Sequence, residues 1–403
     1  MKVLLISHFY FPENFRINDL ALGLNLNGAE VTVLTGLPNY PNGEYFDGYS
    51  FFSKRVEYIN GIKVIRARVF PRGKGSKFLL ALNFLSFPIF AFFELLLLKG
   101  PFDKIFVYAP SPITVAIPGI FAKYKFGAKS FLWVHDLWPE SIQISGGVNN
   151  KFILIGIQKL VNFIYDKFDK VLVQSYYFVP YLVNRRVSKS KLIYYPYYAE
   201  DCYSEPSGKS DINLPVGVNI IFAGNIGFSQ NLEGVLKAFS LLDLENHKVN
   251  LIFFGSGRNL SNIMLLANEL NLLDHVFFRD AVSVDEIARV YFDADALLIS
   301  LKKSEIFSLT IPGKFQSYLA SGKPIIGFID GVVSDIIKTS ECGLVASAED
   351  NAGLADIFNM FLNLNIEKRN LMGINSRKYF EREFSRDVLL KKLFEIFNDN
   401  IQG

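Results

Sequence analysis

An imidazole and a carboxylate follow one another at His135 and Asp136, directly behind the apolar run Ser130 to Val134 and ahead of Leu137-Trp138-Pro139-Glu140-Ser141. If that run is a buried strand, both groups stand at its carboxyl end, where parallel sheets present ligands, and the tryptophan and proline interrupt regular structure there. The competing reading is a satisfied core or capping histidine. The chain has four histidines, and His8 stands in the same relation to the apolar run that precedes it. A second pointed segment is FSLTIPGKFQSYLASGKP, Phe307 to Pro324. Pro312 suits the first turn of a helix because its missing N–H would have no partner anyway, and Ser308 or Thr310 is expected to cap. Lys314 adds a full positive charge to a helix end that is already positive, a conflict that a bound diphosphate would resolve. A lysine pointing to water is the alternative. Two glycine turns complete the set. Ala223-Gly224-Asn225-Ile226-Gly227 and Gly255-Ser256-Gly257-Arg258 each follow an apolar run, so backbone N–H groups can approach an anion, with Arg258 offering a fork to a phosphate. Both also read as ordinary strand-to-helix turns.

The elements that must hold these groups recur along the chain. KVLLIS at 2–7 predicts a buried strand, Ile17 to Leu26 an amphipathic helix, and Glu30 to Thr35 a second strand, which together make a β-α-β unit. Strands are expected again at Lys63 to Arg68, Lys104 to Tyr108, Ser130 to Val134 and Lys170 to Gln174. The theme restarts at Val218 to Phe222, Val249 to Phe254, Val276 to Arg279, Ala296 to Ile299, Pro324 to Phe328 and Gly343 to Val345. Between the halves, residues 198–215 carry turn formers and little periodicity and are expected to be a linker. The expected organisation is α/β: a Rossmann-like domain over 1–197 and a second over 216–375. A terminal helix at about 376–400 packs back on the first. Two such domains facing each other across a cleft would hold two ligands beyond their strand ends.

At 403 residues the chain exceeds what one core usually supports, and half of its residues are apolar, which excludes a disordered chain. Two cysteines, Cys202 and Cys342, lie far apart and without nearby histidines, so neither a disulfide framework nor a zinc site is expected. The first apolar run is too short for a signal peptide, and a cytoplasmic location fits. Charge is divided unequally. Residues 1–198 hold 23 Lys and Arg against 12 Asp and Glu, an excess of +11, and the remainder hold 19 against 27, or −8. A basic half suggests an anionic surface; with no nucleic-acid signature in the sequence, nucleic acid is not an expected partner and an anionic membrane is.

The segments HFYFPE at 8–13, VTVLTGLPNYPNG at 31–43, WVHDLWPES at 133–141, AGNIG at 223–227, TIPGKFQSYLASGKPIIG at 310–327 and EREFSRD at 381–387 resemble glycosyltransferase family 4 over essentially the whole chain. That family has the GT-B architecture, is retaining and is metal-independent. Within it the chain resembles enzymes of bacterial O-antigen and capsule assembly, including N-acetyl-L-fucosamine transferases. The resemblance implies that His135 contacts the transferred sugar, that Lys314 and its helix start face the donor diphosphate, and that the loop Arg279 to Val282 holds the nucleobase. The expected catalytic groups are thus His135, Asp136 and Lys314. Donor binding is expected from Gly224, Asn225, Gly227, Asn231, Gly257, Arg258, Asp280, Ala281, Val282, Thr310, Ile311, Pro312, Gly313 and Ser317. The acceptor side is expected from His8, Asn14, Arg16, Trp138 and Glu140. No metal and no cofactor are expected. Three departures stand out. Glu13 to Asn18 replaces a common Gly-Gly pair, Asn225 and Asn231 replace an Arg and a Lys, and the usual pair of glutamates is absent, its positions falling near Leu309 and Ser317.

The expected activity is retaining transfer of a sugar, N-acetyl-L-fucosamine or a related amino sugar, from a UDP donor to a polyprenyl-linked saccharide. A nucleotide-sugar 2-epimerase or an inactive donor-binding partner subunit are the alternatives. Residues 78–98, FLLALNFLSFPIFAFFELLLL, are long enough to span a bilayer, but Asn83 and Glu94 are costly in hydrocarbon and spanning would split one sheet across the membrane. Peripheral docking on the inner face of a bacterial cytoplasmic membrane is expected instead, with a buried core helix as the alternative.

Overall fold

The computed structural model describes residues 1–399 apart from 147 and 149; residue 400, the expected end of the terminal helix, lies outside the described residues. The chain divides into two compact units, Met1–Tyr195 with the segment from Leu390 onward, and Pro196–Leu389.

In the first unit the elements run β1 (Lys2–Ser7), α1 (Ile17–Leu26), β2 (Glu30–Gly36), β3 (Val56–Ile59), β4 (Ile62–Ala67), α2 (Lys77–Leu97), β5 (Lys104–Ala109), α3 (Ala116–Phe126), β6 (Lys129–Val134), α4 (Glu140–Gly146), α5 (Lys151–Lys167), β7 (Lys170–Val173), α6 (Phe178–Asn184) and β8 (Leu192–Tyr194). They form a sheet of order β3-β4-β2-β1-β5-β6-β7-β8. Its central strands are continuous Val, Ile, Leu and Phe runs because helices cover both faces, and after the first residue β1, β2, β5 and β6 are buried throughout. The edge strand β3 was not expected. Its alternating VEYI pairs antiparallel with β4 across Asn60-Gly61, both at positive φ, which is hairpin chemistry hidden by the strand's exposure.

Helix α2 is half core and half surface. Its inward stripe of Asn83, Phe87, Ala91 and Leu95 is fully buried, and Glu94 pairs with Arg55 at 3.0 Å. Asn83 is a hub rather than a liability: it meets His8 Nε2 at 3.0 Å and donates to the Phe70 carbonyl at 2.7 Å and to Asn39 Oδ1 at 3.2 Å. Buried amides persist only when satisfied in this way.

The second unit contains β9 (Val218–Ala223), α7 (Leu232–Phe239), β10 (Val249–Phe254), α8 (Leu260–Glu269), β11 (Val276–Arg279), α9 (Val284–Asp293), β12 (Ala296–Ser300), α10 (Glu305–Leu309), α11 (Gly313–Ala320), β13 (Ile325–Phe328), α12 (Val332–Ser340), β14 (Gly343–Ala346), α13 (Asn351–Asn363) and α14 (Ile366–Glu383), and α15 (Arg386–Phe397) closes the chain. The sheet order is β11-β10-β9-β12-β13-β14, parallel throughout. Phe222, Phe253, Leu298 and Phe328 lie at its centre, fully buried. Each such side chain contributes roughly 1.5–3 kcal/mol by leaving water.

Three expectations are corrected here. The segment 198–215 is not a free linker: Tyr203 is buried and stacks 5.8 Å from Tyr291, and Ser210 Oγ donates to Glu286 at 2.6 Å. The terminal segment is two helices rather than one. α14 packs on the second unit, and Phe397 at the end of α15 packs on Phe106 and Phe131 of the first. Finally, neither Ser308 nor Thr310 caps α11. Their hydroxyls donate backward to the Glu305 and Ile306 carbonyls of the short α10, so α11 begins at Gly313, behind an extended Pro312 and with no side-chain cap.

Candidate active site

The second unit gathers its candidate groups at the carboxyl ends of β9, β10, β11 and β12. Gly224 leaves β9 at φ +133 and Gly255 leaves β10 at φ +137. A Cβ on Gly255 would stand 2.0 Å from the Gly224 carbonyl oxygen, and one on Gly257 would stand 2.3 Å from that of Ile226. Glycine is required because two turns lie backbone against backbone. They are joined by Ile226 N donating to Ser256 O at 2.8 Å, and a second bond, Gly255 N to Arg279 O at 3.0 Å, ties them to the end of β11. The second bond puts the exposed loop of Asp280 and Ala281, with half-buried Val282, at the same edge. Asn225 lies over Gly227 and Gly257, its amide within 2.8 Å of where either would carry a Cβ. Arg258 is exposed. Asn231, at φ +50 before α7, is buried, and its Nδ2 meets no acceptor among the described residues.

Lys314 enters this cluster from the first turn of α11. Its Nζ donates to Gln230 Oε1 at 2.8 Å, lies 3.8 Å from the centre of the Phe222 ring, and passes 3.2 Å from where Gly224 would bear a Cβ. Burial pulls its ammonium down to about 7. The helix end beside it exposes Gly313, leaves Pro312 and Thr310 half-buried, and buries Ile311. The buried Gln316 amide donates back to the Gly313 and Pro312 carbonyls at 2.9 Å, which firms the turn. Ser317 is buried on the next turn. The geometry therefore joins Gly224, Asn225, Gly227, Gly257 and Lys314, and adds Gln230 and Phe222 as direct partners of the lysine. An uncapped helix start with a cation and close glycine turns suits a diphosphate.

In the first unit a cavity of about 420 Å³ is lined by Phe9, Phe15, Tyr40, Arg72, Phe84, Asp136 and Trp138, among others. Phe9 and Phe15 stack at 4.5 Å with 7° between planes, Tyr40 leans on both at 5.7 and 5.3 Å, and the Arg72 guanidinium sits 5.0 Å from the Tyr40 ring. Asp136 is raised to about 6 by burial. Of the expected acceptor-side residues, Trp138 alone is in this lining. His8 is a core residue held by Asn83 and packed on Phe87 at 4.9 Å; burial, with a smaller contribution from Arg72, lowers it to about 3 against the raising effect of the Asn83 bond. Glu140 turns to an ion pair with Arg185, which also holds Gln158. Asn14 is exposed, and Arg16 begins α1. His135 is buried between Trp133 at 4.3 Å and Tyr108 at 4.7 Å, and burial, then Arg16, lowers its pKa well below the ordinary imidazole range.

Sequence reasoning missed Phe9, Phe15, Tyr40 and Glu13. The Glu13 carboxylate accepts Asn39 N at 2.9 Å, Tyr40 N at 2.8 Å and Tyr10 N at 3.3 Å, clasping the loops after β1 and β2. Burial raises it to about 7, with those three N–H bonds and Arg66 acting in the opposite sense. The signal was present as the aromatic, proline-rich stretches HFYFPENF at 8–15 and LPNYPNG at 37–43. Among the described residues no group of three or more His, Cys, Asp and Glu is assembled to hold a metal.

Comparison with known proteins agrees with this division. The family model described as Glycosyl transferases group 1 matches residues 216–379, which span the glycine turns and α11. The probable glycosyltransferase WbjE of Pseudomonas aeruginosa is 24% identical over 67% of this chain and 68% of its own length. The putative colanic acid biosynthesis glycosyl transferase WcaI of Escherichia coli is 22% identical over 100% of both chains. Among solved structures, HepE from Anabaena, crystallised with UDP, superposes with a TM-score of 0.70 at 11% identity, covering 99% of this chain and 100% of that one. The chain has the GT-B fold and is a glycosyltransferase.

Proposed function

We propose that this enzyme transfers a sugar, with retention of anomeric configuration, from a uridine diphosphate donor held by the second unit to a polyprenyl-linked saccharide held by the first. The work is assembly of a bacterial cell-surface polysaccharide, and the sugar is N-acetyl-L-fucosamine or a related amino sugar, as in the family 4 enzymes that the sequence resembles. The observation that carries the reading is Lys314: a part-buried ammonium at an uncapped helix start, beside Gly224 and partnered by the neutral Gln230 amide. UDP in the HepE structure and the assignment of WcaI to colanic acid biosynthesis support donor and context. In the proposed step the acceptor hydroxyl bonds to the anomeric carbon while the bond from that carbon to the diphosphate oxygen breaks. The electron pair goes to the diphosphate, which also takes the hydroxyl proton. Lys314 and the N–H groups of α11 stabilise the charge that develops. The neutral Asn225, Gln230 and Asn231 then do the polar work that an Arg and a Lys do elsewhere in the family.

Thermal shift with a panel of UDP and GDP sugars identifies the donor through its binding energy, and NMR of the product reads the anomeric configuration. Lys314→Ala should lower turnover at least about tenfold, since loss of a charge-assisted phosphate contact removes more than about 1.4 kcal/mol of transition-state stabilisation. Release of free epimerised sugar, or donor binding with no turnover on any acceptor, would replace the transfer reading.

The same reading puts the enzyme on the inner face of the cytoplasmic membrane. Helix α2 leaves Phe78, Leu85, Ile89, Phe93 and Leu97 more than half exposed, and Lys74 and Lys77 flank its start. An apolar face with a basic rim suits interfacial docking, each basic residue adding roughly 1 kcal/mol near an anionic leaflet. Flotation with anionic vesicles should recover the protein, Ile89→Ser with Phe93→Ser should abolish recovery, and Lys74→Gln with Lys77→Gln should remove its salt-sensitive part. Absence of wild-type binding to anionic vesicles would return α2 to a purely structural role.

A further inference from the structure

The second unit carries another cavity, of about 600 Å³, at the amino ends of β12 and β13, the opposite edge of the sheet from the glycine turns and Lys314. One wall is the turn Ser321 to Pro324 and the other is α14. The two are locked together. A Cβ on Gly373 would stand 2.3 Å from the Gly322 carbonyl oxygen, Ser376 Oγ donates to Lys323 O at 2.8 Å, and Arg377 Nη1 donates to Ala320 O at 2.9 Å. The cavity is therefore a fixed feature of the helix crossing rather than a loose seam.

Its charges do not balance. Lys323, Arg369 and Arg377 line it against a single carboxylate, Asp295. Arg377 is paired with Glu381 at 2.7 Å, and Asp295 already accepts the Asn219 N–H at 2.7 Å. The Lys323 ammonium is half-buried; burial pulls it below the ordinary lysine range, with Asp295 and Asp293 acting against. Arg369 donates through Nη2 to the Leu362 carbonyl at 2.9 Å and lies 4.6 Å from the Phe361 ring, but its buried Nε meets no acceptor among the described residues. Beside these cations Phe292, Ile366 and Ile374, all exposed, give an apolar wall.

We propose that this cavity binds a phosphate ester of a small polar molecule, its phosphate on Lys323 and Arg369 and its body against Phe292 and Ile366. The volume lies in the range of small-ligand sites and admits a sugar phosphate or a nucleoside monophosphate. A planar guanidinium and a point-charge ammonium together suit the several oxygens of a phosphate ester.

Calorimetry on the full chain carrying Lys314→Ala, which weakens the donor end, tests this with glucose 1-phosphate, uridine monophosphate and, as neutral control, glucose. Saturable one-to-one binding of at least one ester and none of glucose is expected, and the tighter ester identifies the source. Adding Lys323→Gln with Arg369→Gln should weaken that binding at least about tenfold. Arg369→Gln alone, at a partly exposed position, should weaken it measurably if the double variant fails to fold. No saturable binding of either ester up to about ten millimolar, or binding unchanged in these variants, would overturn the proposal.

Discussion

Each unit confines a charged group at the end where parallel sheets bind ligands, Asp136 in the first and Lys314 in the second, and the two are opposite in sign. Asp136 in the first unit is raised to about 6 and Lys314 in the second is lowered to about 7, both by burial. The surroundings differ in kind. Around Lys314 the partners are a backbone turn that needs glycine, one amide oxygen and the Phe222 ring. Around Asp136 the wall is aromatic side chains delivered by loops after β1, β2 and β6 and by α2. A site of backbone groups recognises an invariant part of a ligand, such as a diphosphate, whereas a site of side chains recognises a part that differs from one enzyme to another.

That contrast breaks most sharply at Gly255. Gly255→Ala places a methyl 2.0 Å from the Gly224 carbonyl at a φ of +137, so the two turns must part. UDP affinity should fall by at least about a hundredfold, with a loss of stability on the order of 1–3 kcal/mol. Calorimetry with UDP and urea unfolding measure the two. A variant that binds UDP as well as the parent would show that the backbone turns do not make the donor site. Tyr40→Ala sharpens the other side. Tyr40 is partly exposed and lines the aromatic cavity, so its removal should raise the acceptor KM by about five- to tenfold and leave UDP affinity unchanged. An equal change in both constants would mean that the two sites are not separable.

The same contrast explains what was legible in the sequence. The central strands were readable because strands buried on both faces are continuous apolar runs, as in LLIS, VTVL and LIFF. The edge strand β3 and the three-residue β8 were not, since one is half exposed and the other too short to show a period. On the donor side, the glycines and Lys314 lie in three local motifs, so spacing within each carries the geometry. The aromatic cavity was illegible because Phe15, Tyr40, Arg72 and Trp138 come from segments that only the fold brings together, and because Glu13, which orders two of those loops, reads as an ordinary loop carboxylate. His8 and Glu140 misled for the converse reason. Their positions after a strand and at a helix start fit a site, but Asn83 and Arg185 hold their side chains.

The smallest expected effect is a proton. With Lys314 at about 7, only about a tenth of the chains carry that charge at pH 8 before the donor binds. A diphosphate beside the ammonium restores its pKa toward the ordinary lysine range, so binding of UDP at pH 8 should take up about 0.9 proton. The affinity should then fall about tenfold for each pH unit above 7, until the pKa of the bound state is passed, and should be flat in this respect below 7. Stability of the unliganded chain moves the other way. Between about 7 and the unfolded lysine value the unfolded state binds more protons, so this lysine destabilises most below pH 7 and the penalty is relieved as pH rises. Asp136 has the mirror-image window: its raised pKa makes the folded state bind more protons between about 4 and about 6, so its contribution falls as pH rises through that range. Calorimetry of UDP binding at pH 8 in buffers of different ionisation enthalpy counts the proton directly, and Lys314→Met should reduce the count to near zero while Asp136→Asn leaves it unchanged. An uptake that survives Lys314→Met would assign the proton to another group and leave Lys314 charged before the donor arrives.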